Sequence, residues 1–335
     1  MDVHNDKEPL LPSASKEITR ASSRRVTVEP VILFASIGFG VLFTLQPQYI
    51  KQRLADDRNF TISQTENGCN LSTSDPDYII EQEIQADVSS WQMIINICGF
   101  FPSLFTAPII GAWGDKVGRK LAIGVPILGY MITMLTYLIV YYCILPLWVL
   151  AIGYFLQGTT GGYGLVLAGC YAYVADITTK EKRMLRIVII QALFVFGMGL
   201  SQVLIGLFIR LTGFAPSLWL AALSLTASLA YIVSPPFLVE TIRRTKKSRD
   251  PDVVASPVAD PSRLEAMGQL FRENTDSRRT KLILLLLIAF STEGVNQASL
   301  NITIIYGLGP PFCWNSVVVG FYSALVLFTS AAGKL

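Results

Sequence analysis

The sequence is poor in charge and almost without histidine. Only 15% of its 335 residues are Asp, Glu, Lys or Arg, against about 25% in soluble domains. The single histidine is His4, in a polar N-terminal tail, so no imidazole is available at membrane depth to pass protons and no H-E-x-x-H zinc site exists. No G-x-S-x-G nucleophile turn occurs either. An enzyme is therefore not expected, nor a metal, nor a cofactor. The net charge of +3 is too small to point to nucleic acid. The polar first 28 residues have no short apolar core followed by a small-residue cleavage site, so the first long apolar run is expected to direct insertion itself.

What the chain has in abundance is apolar length. Hydrophobic residues make up 52% of it, and the mean hydropathy is +0.48. A bilayer core is crossed by about 17–25 apolar residues, and eight runs qualify, near 30–50, 91–113, 121–143, 147–174, 186–210, 216–239, 281–306 and 317–333. The expected fold is an all-α polytopic membrane protein whose first partner is the lipid bilayer. Its expected organisation is a tail over 1–29, a six-span N-terminal half over 30–239, a linker over 240–280 and a partial C-terminal half of two spans over 281–335. The linker is rich in Arg, Lys, Asp, Ser and Pro, the composition of a solvated connection with at most a short helix near 262–273.

Basic residues set the orientation. Most of the 27 Lys and Arg lie in the tail, in the connections after spans 2 and 4, and in the linker, which places those segments and the N-terminus in the cytoplasm. The opposite side then carries one long loop, 51–90. It contains Asn59-Phe60-Thr61 and Asn70-Leu71-Ser72, two glycosylation acceptor patterns that require an exoplasmic location. Cys69 and Cys313 also fall in exoplasmic loops, where oxidation is permitted. Cys143, near the outer edge of span 3, is the competing partner for either. Cys98 and Cys170 lie inside apolar runs and read as small packing residues.

Between spans 2 and 3 stands GAWGDKVGRK, residues 111–120. Gly111 and Gly114 leave room for close helix approach, and Gly118 permits a turn that a side chain would obstruct. Asp115 can accept from Arg119, while Arg119 and Lys120 stay at the surface. The spacing resembles the signature loop of the major facilitator superfamily, in the same position. That resemblance implies that Asp115, Lys116, Gly118, Arg119 and Lys120 belong to a charge cluster that holds the cytoplasmic side closed. It also implies that Asp176, at the end of span 4, is the acidic partner of the loop arginine. Val28-Glu29-Pro30 before span 1, the acidic first loop and PFCWNSVVVGFYSA at span 8 further resemble the solute-carrier group that contains the proton-coupled folate transporter and its lysosomal relatives. The narrower resemblance implies a Cys69–Cys313 disulfide. It departs from this chain at Gln191, Asn296 and Gly162, where the group leads one to expect a carboxylate, a histidine and an aspartate.

Polar groups within the spans are the remaining candidates, because an ionised side chain at membrane depth costs roughly 2.5–3.5 kcal/mol. Glu293 stands about 18 Å into the run that opens at Lys281, at a rise of 1.5 Å per residue, near the midplane. Asn296, Gln297 and Asn301 follow at helical spacing and give span 7 a polar stripe. Gln191 and Gln202 fall on one face of span 5, and in span 4 Gln157 immediately precedes, and Tyr163 stands among, the glycines of GTTGGYG, residues 158–164. Those glycines read as close helix packing, since the Lys-Ser/Thr pair of a phosphate loop is missing.

In the tail, Asp6 precedes Leu10 and Leu11 in DKEPLL, the form of an acidic di-leucine signal for endosomes and lysosomes. Together these readings point to a secondary transporter of a small organic solute, an organic anion or a folate-like molecule, working by alternating access. If protons are co-transported, Glu293 is the expected carrier. The chain holds eight of twelve expected spans, which raises a second expectation: a truncated, non-transporting membrane protein that associates with or regulates a full-length transporter. Nothing in the sequence sets an oligomeric state.

Overall fold

The protein is described in a computed structural model for residues 27–60, 76–234, 238, 278–309 and 312–332. Among these residues the regular structure is helical throughout. In chain order the helices are α1 (Glu29–Asp57), α2 (Pro76–Val117), α3 (Arg119–Cys143), α4 (Trp148–Thr159), α5 (Gly162–Ile177), α6 (Lys180–Thr212), α7 (Phe214–Val233), α8 (Arg278–Leu308) and α9 (Ser316–Ala332). The tail with Asp6, Leu10 and Leu11, the linker with its expected 262–273 helix, and Cys69 and Asn70 lie outside the described residues.

The expected all-α membrane bundle is present, with two differences from the apolar runs. Five helices among the described residues are long and apolar enough to cross a membrane: α1, α2, α3, α6 and α7. Span 4, expected as one run over 147–174, is instead two helices of 12 and 16 residues. The break is made by Gly161 and Gly162, which take φ of +98° and +67°. A left-handed pair cannot continue a right-handed helix, and only glycine adopts it cheaply. Gly158 meets the close-packing expectation, since a Cβ there would lie 2.3 Å from the Gly99 carbonyl oxygen of α2.

The second difference is α2, which starts at Pro76 and not near 91. Much of the expected 51–90 loop is therefore helix, because α1 also runs on to Asp57. Hydropathy ends the span where charges begin, but the helical stripe does not end there. Glu81, Ile84, Val88, Gln92 and Ile95 are all buried, and their spacing of three and four residues is one helix face.

The core runs along α1, which packs against α6 and α7, while α2 packs on α4 and α3 lies against α4, α5 and α7. Val31, Ile32, Ala35, Leu45 and Ile50 of α1 are fully buried in this cluster. Small residues bring α1 and α6 together: a Cβ at Gly40 would meet Ser201 Oγ at 2.0 Å, and one at Gly197 would meet Ser36 Oγ at the same distance. The last helix, α9, lies along α6, where Gly206 and Gly320 each face a backbone carbonyl of the other helix. In contrast, α2 leaves Phe100, Phe101, Leu104 and Phe105 more than half exposed.

Candidate functional site

At one end of the bundle three elements converge on Arg119. The chain leaves α2 at Val117 and enters α3 at Arg119, with Gly118 between them at φ 153° and ψ 147°, a region essentially restricted to glycine. The Gly118 N–H donates to the Gly114 carbonyl at 3.0 Å and closes α2. The two helices are then held close, since a Cβ on Gly114 would sit 2.4 Å from the Ala122 Cβ. Gly111 differs from its expectation: a Cβ there would make only an ordinary 3.6 Å contact with Leu165, so close approach does not depend on it.

This turn aims the guanidinium of Arg119 at two carboxylates. Its Nη1 bonds Asp115 Oδ1 one helical turn earlier, and its Nε donates to Asp176 Oδ2 of α5 at 2.8 Å. The planar fork of an arginine suits two acceptors at once. The expected trio of Asp115, Arg119 and Asp176 is therefore brought together. The Lys116 side chain lies outside the described residues, and Lys120 follows Arg119 in the first turn of α3.

A second ion pair stands at the same end and was not foreseen. Arg186 Nη2 of α6 donates to Glu29 Oε1 at 2.7 Å and to Thr27 Oγ1 at 3.2 Å. The Thr27 N–H donates to the other carboxylate oxygen at 2.6 Å. Glu29 fixes the start of α1 to the first turns of α6. In the sequence Arg186 reads as one more topogenic cation; the available signal was an acid directly before Pro30 at a helix start. Beside it, Arg183 donates to the Ala175 carbonyl at 2.9 Å and caps the C-terminal turn of α5.

Deeper in the bundle, the break between α4 and α5 collects polar groups. The Tyr130 hydroxyl is hydrogen-bonded to the Gln157 side chain and the Tyr163 backbone. Tyr163 stacks on Phe194 of α6 with ring centroids 6.4 Å apart, and Thr106 Oγ1 donates to the Gly158 carbonyl at 2.9 Å. Gln157 and Tyr163 are thus two parts of one cluster, to which the sequence reading did not assign Tyr130. A related chain runs from Gln46 of α1, whose Oε1 accepts from Tyr154 at 2.8 Å, to Tyr137 at 3.4 Å from the Tyr154 hydroxyl.

Gln191 and Gln202, expected on one face, have different surroundings. Gln191 is exposed and bonded to the Tyr171 hydroxyl of α5. Gln202 is fully buried, and neither of its amide atoms has a partner among the described residues. The difference arises because α9 covers α6 at Gly206 and Gln202, whereas Gln191 lies nearer the start of α6. Glu293, Asn296 and Gln297 fall midway along α8, with side chains outside the described residues. Asn59 is an exposed turn residue with φ of 54°. Cys98, Cys143 and Cys170 are free thiols, which removes Cys143 as the competing partner, and Cys313 is not among the free ones.

At the opposite end, buried Lys51 and Glu81 pair at 3.0 Å across α1 and α2. The expected loop boundary at 51 had hidden both.

Helices of membrane-crossing length, joined by glycine-mediated crossings and an arginine held by two carboxylates at an interhelical turn, define a multi-pass integral membrane protein. The model of the Major Facilitator Superfamily matches residues 28–335, and the chain belongs to that family. It is 29% identical over 313 residues to the mouse lysosomal proton-coupled steroid conjugate and bile acid symporter SLC46A3, covering 89% of this chain and 65% of the relative. It is 26% identical to the rat proton-coupled folate transporter, with 93% and 65% covered. The chain thus spans about two-thirds of the length of the curated relatives it matches. Among solved structures, the human organic anion transporter MFSD10 (TETRAN) superposes with a TM-score of 0.55 at 16% identity, covering 96% of this chain and 71% of that one, a likeness of fold.

Proposed function

We propose that the chain mediates secondary active transport of a small organic anion, coupled to protons, by alternating access between two helical halves. The observation that carries this reading is family membership over residues 28–335, joined to an Arg119 that ties α2, α3 and α5 together through Asp115 and Asp176. One relative is named as a proton-coupled steroid conjugate and bile acid symporter and another as a proton-coupled folate transporter, and the reading of this chain as a non-transporting associate gains no support from them.

In this proposal residues 30–239 form one half and 281–335 contribute to the other, with the N-terminus and the Arg119 end cytoplasmic, as the basic residues favour. Asp115, Arg119 and Asp176 hold the cytoplasmic ends of α2, α3 and α5 as one block, with Glu29 and Arg186 extending it to α1 and α6. Gln157 and Tyr163, at the broken helix, are candidates for the solute path, since irregular backbone at membrane depth is tolerated where it lines a cavity or is buried in protein. Glu293 is the proton carrier, because it is the carboxylate nearest the middle of α8. Cys69 pairs with Cys313, Asn59 and Asn70 carry glycans, and Asp6 with Leu10 and Leu11 directs the protein to lysosomes, in keeping with the named residence of one relative.

The test is uptake of radiolabelled organic anions into vesicles at acidic and at neutral exterior pH. Saturable uptake lost in Asp115→Ala supports the transporter. Loss of the pH dependence in Glu293→Gln supports that carrier, and an unchanged pH dependence in the same variant removes it. Absence of uptake for every anion, from correctly inserted protein, overturns the reading.

A further inference from the structure

The last four carbonyls of a helix have no partner within it and must be satisfied from elsewhere. At the C-terminus of α8 all four have donors. The Tyr306 carbonyl accepts from Gly309 N at 3.3 Å, and the Gly307 carbonyl from Trp314 N at 2.7 Å. These two bonds are local and travel with the helix. The other two come from the opposite part of the molecule: Gln85 Nε2 of α2 donates to the Ile305 carbonyl, and Lys51 Nζ of α1 donates to the Leu308 carbonyl at 2.5 Å.

An ammonium at a helix C-terminus also meets the negative end of the helix dipole. Desolvating it would be costly without a counter-charge, and Glu81 supplies one at 3.0 Å, with both side chains about nine-tenths buried. The contact beneath is thin. Ile304, Leu308 and Val319 form a small apolar cluster with Phe43 of α1 and Trp314 against it. Gly309 brings its backbone against the Gln85 side chain, where a Cβ would fall 3.1 Å from Cδ. The bonds from Lys51 and Gln85 both fall on this last turn of α8, and upstream Leu284, Leu287 and Val295 are more than half exposed.

We propose that Lys51, positioned by Glu81 and assisted by Gln85, is an exoplasmic latch. It closes that end by capping the C-terminus of α8, and the exoplasmic path opens when the cap is released. The inference rests on the alternating-access reading and names a device for it. The geometry suits a reversible bond. When α8 parts from α1 and α2, water reaches the same ammonium, carboxylate and carbonyls together, so each group exchanges one set of partners for another. A ligand or voltage that favours either state needs only to bias this balance.

The test reads access and needs no transport. Ile304, 2% exposed beneath the latch, is replaced by cysteine. A membrane-impermeant maleimide is added to the exoplasmic face of oriented vesicles, and labelling at residue 304 is followed by mass spectrometry, which separates it from the native thiols. Labelling is expected to be slow in Ile304→Cys alone and about tenfold or more faster with Lys51→Met, as befits loss of a charged hydrogen bond, with a smaller rise for Gln85→Leu. Should Lys51→Met leave Glu81 too exposed a liability to fold, the pair Lys51→Met with Glu81→Met replaces the buried ions by apolar chains of similar length and is expected to show the same acceleration. Unchanged labelling in correctly inserted variants overturns the latch, even where uptake is intact. Faster labelling upholds it even where no anion is taken up, a result that would count against the transport reading alone.

Discussion

The two ends of the bundle are tied in different ways. At the Arg119 end, every ion pair among the described residues joins elements within α1–α7: Arg119 to Asp115 and Asp176, and Arg186 to Glu29. At the Lys51 end the bonds cross to α8 through Lys51 and Gln85. Even the helix caps differ in this respect. Arg183 caps α5 from the neighbouring helix in sequence, whereas Lys51 caps a helix far along the chain. Charge at the first end ties elements within α1–α7; at the second the pairs Lys51–Glu81, Arg58–Glu83 and Arg58–Asp87 likewise tie the end of α1 to α2, and the Lys51 ammonium also reaches the last carbonyl of α8.

Arg119→Ala gives the largest expected effect. It leaves Asp115 and Asp176 facing each other across the turn, and uptake should fall about tenfold or more, since hydrogen bonds between charged groups are worth about 1.5–3 kcal/mol. The comparison is sharpened by its second readout: maleimide labelling of Ile304→Cys should not change, because that end has separate ties. An increase there would break the distinction between the two ends.

Gly114→Ala comes next. Its Cβ would stand 2.4 Å from that of Ala122, so α2 and α3 must part and the arginine loses its aim. The cost in detergent-solubilised stability should be about 1–3 kcal/mol, read as a lower midpoint of thermal unfolding. Glu29→Gln removes the charge that holds Arg186 but keeps the size of the side chain. About 1 kcal/mol of stability should be lost, and Glu29→Gln with Arg186→Gln should recover part of it in a double-mutant cycle. Gly111→Ala is the smallest change, within about 0.5 kcal/mol, because only an ordinary contact with Leu165 awaits its methyl group. A large loss there would mean that the whole glycine pattern of the loop, and not Gly114 and Gly118, sets the crossing.

Much of the Arg119 end was legible from residues. Asp115 and Arg119 are four apart on a turn that glycine makes, and their pairing follows from that spacing; Asp176 came through the resemblance of the loop. The Lys51 end was not legible, because its charged pair lies outside the apolar runs. Apolar runs mark where lipid is, and Lys51 and Glu81 fall just past those runs, so they read as loop. Glu81, Ile84, Val88, Gln92 and Ile95 carried the missing signal in their spacing. Gln191 and Gln202 show the converse limit. Helical rotation puts them on one side of α6, but a face is not an environment, and α9 covers only Gln202 of the two.

By itself the sequence determined the helical membrane class, the turn at Gly118 and the local pairing of Asp115 with Arg119, while the break at Gly161 and Gly162 came only with the structure. These depend on hydropathy, on backbone conformations open to glycine alone, and on distances of four residues or fewer. Tertiary structure decided which charges meet across the bundle, because Lys51 and Leu308 or Glu29 and Arg186 become neighbours only through helix packing. No local rule brings a lysine in the first helix to the last carbonyl of the eighth; burial of both, with a carboxylate to share the ammonium, is what makes that meeting stable.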